Sequence, residues 1–284
     1  MLSRTCLLAI FLSVLPVLSY AQSQDNSRVQ ELFVKSGMQE QLKALPSLVQ
    51  SAFNQSVEKD EEAKKLPKTL VSAMSAAATE AFSPTRLRVT MLAELPKKLT
   101  AQDIKEVLKW LDSPLGKKCT HLEEASSTPE VDADMQKYAT GLQASPPTSE
   151  RLQVLREFDA AVKATEAAVD MAINTQVALA MAIIATFPKE RQVPIENVLR
   201  EVEKNRPAME AEVRSQVLIS HLYTYRTLTD AEIKLYTDFA KSPAGSKYNA
   251  AAKESFDKAV IEGTVKWGEL IGRAIKESKN KSEA

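Results

Sequence analysis

Cys119, His121 and His221 are the reactive side chains this chain offers once its first residues are set aside, and their spacing is poor for chemistry. Cys119 and His121 stand two apart, so on one helix they point in different directions. A Cys–His dyad would also need an orienting third group, and none announces itself. Cys119 reads instead as a small buried hydrophobe, with pairing between chains as the alternative for an odd cysteine. His121 and Glu124, at i and i+3, supply two metal ligands at best, and no HExxH or CxxC string occurs. No catalytic residue, metal or cofactor is expected, and the chain reads as something other than an enzyme. A hydrolase is the least favoured alternative.

One more string has chemical potential, and it occurs twice. Ser113-Pro114-x-Gly116-x-Lys118 and Ser242-Pro243-x-Gly245-x-Lys247 each put a lysine beside the start of a helix, where free N–H groups can hold an anion. Each residue except the lysine also has a structural role. Ser is a helix cap, and Pro suits the first helical position. Gly in the first turn implies close approach of another backbone. Corner-building is therefore the preferred reading.

The strings belong to longer copies. Residues 99–118 read LTAQDIKEVLKWLDSPLGKK and residues 228–247 read LTDAEIKLYTDFAKSPAGSK, with eight of twenty positions identical and no gap. Ordinary composition gives about one or two matches in such a window, so a duplication is expected. Thr100 and Asp103, like Thr229 and Glu232, have the spacing of a capping box, with Leu99/Ile104 and Leu228/Ile233 as hydrophobic staples. From Ile104 and Ile233 an apolar face continues at helical spacing and carries an aromatic near its end, Trp110 in one copy and Phe239 in the other. Each unit is expected to be a capped helix, a sharp corner and a second helix.

These residues carry a family resemblance. LTxxEI, an aromatic and SPxGxK together resemble the signature of the bacterial domain of unknown function numbered 2059, largely small exported helical proteins. The second copy is the closer, since the first has Asp103 for glutamate and Trp110 at the aromatic position. The resemblance implies a helical fold and export, and it carries no catalytic or binding residue with it.

Composition agrees with helices. Seven glycines in 284 residues is far below the usual ~7%, and hairpin and phosphate-loop signals are missing. Basic and acidic residues balance at 37 each, which offers nothing to track a nucleic-acid backbone. Residues 1–21 have the form of a signal peptide: Arg4, an apolar stretch from Leu7 to Leu18, and Ser19-Tyr20-Ala21 as a cleavage site after Ala21. That stretch is shorter than a spanning helix requires, so no transmembrane span is expected in the mature chain. The destination is the periplasm or the exterior.

An all-α architecture of two tandem helical bundles follows, residues 22–142 and 150–284, joined by a linker at 143–149 that is rich in turn residues. Helices are expected near 38–58 with an interruption at Pro46, and over 243–278 with a break near Gly263 to Gly272. The apolar run Val177 to Phe187 is expected as a central bundle helix or the wall of an apolar groove. The stripe Phe256, Val260, Gly263, Trp267 and Ile271 is expected in a core. The function that fits is non-catalytic binding to a periplasmic protein partner or envelope component. The alternative is a carrier of an apolar small ligand in a groove between helices.

Overall fold

The computed structural model describes residues 26–282 apart from 60, 62, 129, 130, 185, 186 and 188. The expected signal segment, residues 1–21, lies outside the described residues. Those residues form helices and no strand. In chain order the helices are α1 (26–35), α2 (Met38–Lys59), α3 (Lys68–Ala81), α4 (Pro84–Glu94), α5 (Ala101–Leu111), α6 (Pro114–Ala125) and α7 (Val131–Gly141). After an irregular stretch come α8 (Ser149–Val162), α9 (Ala164–Ile184), α10 (Ile195–Glu203), α11 (Arg206–Thr224), α12 (Asp230–Lys241) and α13 (Pro243–Ser282).

Local sequence explains most boundaries. Thr148 ends the irregular stretch by accepting from the Arg151 N–H and so caps α8. The α8–α9 junction is Lys163, a left-handed residue at φ 57°, while the Asp159 carboxylate takes both the N–H and the hydroxyl of Thr165. Residues 189–194 hold a short 3-10 turn and irregular backbone before α10.

Two expected interruptions do not occur. Pro46 lies inside a continuous α2, although a proline in a helix interior costs about 3 kcal/mol. Leu42, Leu45, Val49 and Phe53 of the same helix are buried, and each such side chain contributes about 1.5–3 kcal/mol, so packing overrides the proline. Helix α13 likewise continues through Gly263 to Gly272. Trp267 at its centre is fully buried, edge-on to Phe53 and Phe82, and its indole N–H donates to the Met74 carbonyl at 2.8 Å. A side chain at Gly263 would press on the Phe82 ring, so that glycine serves close packing rather than a break.

The hydrophobic clusters cross the middle of the chain. The first core is built from α1 to α5 together with Ala251, Ala259, Val260, Trp267 and Ile271 of α13. The second is built from Val154, Leu155 and Phe158 of α8, Leu222 and Tyr225 near the end of α11, Leu228 and Ile233, and it takes Cys119 from α6. The C-terminal helix thus completes the core of the N-terminal half, while α6 of that half enters the C-terminal core. A third, smaller cluster joins α9, α10 and α11. In it α9 buries Val169, Ile173 and Val177 on one face, while Ala180, Met181 and Ile184 are half-buried. Phe187, at the end of the apolar run, is exposed, whereas the described residues of the run within α9 pack on this cluster.

Candidate functional site

The motif residues named from sequence fold into the same local structure twice. Thr100 accepts from the Asp103 N–H at 3.1 Å, and the Asp103 carboxylate takes the Thr100 N–H at 3.0 Å. Thr229 and Glu232 do the same at 3.2 and 2.7 Å. Leu99 and Ile104, and likewise Leu228 and Ile233, are buried as staples require. At the corner Ser113 Oγ donates to the Trp110 carbonyl and accepts from the Gly116 N–H. Ser242 repeats both bonds with Phe239 and Gly245. Pro114 and Pro243 start their helices. A Cβ on Gly116 would lie 2.0 Å from the Trp110 oxygen, and one on Gly245 2.0 Å from the Phe239 oxygen. Those carbonyls are the close backbone that the glycines anticipate.

The remaining residues of the motif meet across the two segments. Lys118 donates to Glu232 Oε1 at 2.7 Å, and Lys247 donates to the two oxygens of Asp103 at 3.1 and 3.2 Å. Trp110 stacks on Phe239 with ring centres 4.6 Å apart and planes 8° apart, and Tyr236 lies against the same indole at 5.4 Å. Lys118 and the Thr229 N–H hold the Glu232 carboxyl down at about 2. Thr100, with Lys247 added, lowers that of Asp103. Both the lysines and the Gly N–H groups are thereby engaged within the protein.

A polar centre lies beside this junction. The Glu123 carboxylate, on α6, accepts from the hydroxyls of Tyr225 and Tyr236 at 2.7 and 3.0 Å. Burial pushes its pKa up against the lowering influence of the two hydroxyls. Cys119, one turn earlier, is buried, and burial raises its thiol to about 12, far from a reactive thiolate. His221 packs on Phe158 and Tyr225, its Nδ1 buried without a hydrogen bond, and burial lowers its pKa to about 4. His121 is exposed at the edge of a small cavity of about 210 Å³ that also holds Glu124, Lys35 and Asp112. His121 therefore stands apart from the second core, which Cys119 and His221 both border, and no hydrogen bond joins those two among the described residues.

A larger cleft of about 680 Å³ opens between α8, α9 and α11. Its walls carry Arg156, Lys163 and Arg214 interspersed with Asp159, Glu166 and Glu210, and its lining includes Val169 and Leu218. Some of these charges are already engaged. Asp159 is bonded to Thr165, and Arg206 at the rim is held by Glu203 and Asp170. Arg214 pairs with Glu210 through one nitrogen. Arg156 has no ion-pair partner among the described residues, and Lys163 stands 3.7 Å from Glu166, beyond a hydrogen bond. Arg156 is the cleft's unspent donor, while Lys163 lies beside Glu166, which Lys253 also approaches at 3.8 Å. Sequence reading missed it, as it missed Glu123, Tyr225 and Tyr236, because nothing in the local pattern of these residues differs from an ordinary amphipathic helix.

Interlocked helical cores, a paired corner motif and a charged cleft characterise the described residues as an all-α protein. Residues 85–145, from α4 through α7, match the family model described as "Uncharacterized protein conserved in bacteria (DUF2059)". The match falls on the first motif, although the second has the closer signature residues. No curated protein and no solved structure matches the chain.

Proposed function

We propose that this chain is an exported, non-catalytic binding protein whose ligand site is the cleft between α8, α9 and α11. The observation that carries the reading is the cleft itself: a volume in the range of small-molecule sites, lined by both polar and apolar groups. The state of the reactive residues supports binding over catalysis, since a thiol near 12 and an imidazole near 4 are not poised for work at neutral pH. The ligand is a small molecule with a negative end. Arg156, which has no ion-pair partner among the described residues, faces that end. Charged walls do not suit the apolar ligand of the alternative reading, because a charge buried against hydrocarbon loses its hydration without a partner. Export follows from residues 1–21, and envelope association from that destination.

Native mass spectrometry of the exported protein, purified without detergent, tests this. Ser215 is exposed on the α11 wall of the cleft, so Ser215→Trp fills the site without touching a core. The expected result is a small polar adduct on the wild-type chain that is absent from the Trp variant. No adduct, or the same adduct on both, overturns the reading.

A further inference from the structure

We infer that the repeated motif is a self-pairing surface, whose fitting partner is another instance of the same motif. The evidence is reciprocity. In each segment the capping-box acid and the lysine that follows the glycine belong to the same twenty residues, yet neither bonds the other. Lys118 of the first segment reaches Glu232 of the second, and Lys247 of the second reaches Asp103 of the first. The aromatics at the corresponding position, Trp110 and Phe239, stack on one another. When i contacts j and the equivalent of j contacts the equivalent of i, the interface is isologous, as between the subunits of a two-fold dimer. A head-to-tail contact would bring the lysine of one segment against a different surface of the other.

The local structure suits that use. In the second copy the cap fixes the acid by one oxygen: the Thr229 N–H and hydroxyl donate to Glu232 Oε2, leaving Oε1 for Lys118. The glycine lets the second helix leave the corner in direct contact with the carbonyl of the aromatic residue. That helix then crosses into the opposite core, α6 into the second and α13 into the first. Both lysines are well exposed and Glu232 is partly so, while Asp103 is buried. The pairs therefore contribute mainly to register, and stacking of the two rings supplies attraction. In this chain the motif finds its partner within one molecule, and the two motif segments form an internal pseudo-dimer.

A rescue matrix tests the crossing. Lys118→Glu sets two carboxylates together and should lower the melting temperature, and adding Glu232→Gln should recover most of the loss while Asp103→Asn should not. Lys247→Glu should be rescued by Asp103→Asn and not by Glu232→Gln. Self-complementarity is tested by Asp103→Glu with Trp110→Phe, which gives both segments the same acid, lysine and stacked aromatic. That chain should melt within about 3 °C of wild type. Rescue that stays within a segment, absence of any specific rescue, or loss of cooperative melting in the matched chain would overturn the proposal.

Discussion

Glu123 shows how one side chain is tuned by where its helix ends up. Its acid form is favoured by folding, because burial raises its pKa above the unfolded value near 4.5. A group of that kind contributes stability below the unfolded pKa and loses it as pH rises through the folded one. Glu123→Gln keeps an acceptor for Tyr225 and Tyr236 and has no charge to bury. The melting temperature of the Gln variant minus that of wild type should therefore increase from pH 4 to pH 8, and a flat or falling difference would count against this account. His221 has the opposite dependence. Its pKa is lowered to about 4, so its contribution is present above about 6.5 and is lost as pH falls toward 4. In the Gln background that acidic loss should stand out more clearly. Gly116 and Gly245 are the other sensitive residues. An added methyl 2.0 Å from a carbonyl oxygen forces the corner open, so Gly116→Ala or Gly245→Ala should each cost about 3 kcal/mol in urea unfolding.

Among the elements, the signals that were legible in sequence are the short-range ones. Capping boxes, staples and Ser-Pro corners involve partners three to five residues apart, and α5, α6 and α12 begin where those residues place them. Thr100→Ala or Thr229→Ala should each remove about 1 kcal/mol, read in the same urea titration. Pro46 and the glycines of α13 misled because tertiary packing outweighed local preference, with α2 held by its buried apolar face and α13 by Trp267. Trp267→Ala should cost about 3–5 kcal/mol and loosen α3 as well as α13, since the indole also bonds the Met74 carbonyl. The bond from Tyr225 to Glu123 spans 102 positions, and those from Lys118 and Lys247 span 114 and 144. No periodicity reaches that far. The cleft was equally hidden, because Arg156, Lys163 and Arg214 converge only after α8, α9 and α11 pack.

The whole molecule is defined by exchange. Sequence organisation into residues 22–142 and 150–284 gives two sets of helices, yet the first core is closed by α13 and the second takes in α6. The cores are bound through the corner motif, and the cleft lies on the C-terminal side of that junction. Hydrogen exchange followed by mass spectrometry on the full chain tests this arrangement directly. The account predicts that the central part of α13 around Trp267 is protected together with α3 and α4, and that α6 opens together with α8 and α12. If α13 instead exchanges as one unit with α11 and α12, independently of α3 and α4, the interlocked architecture is contradicted.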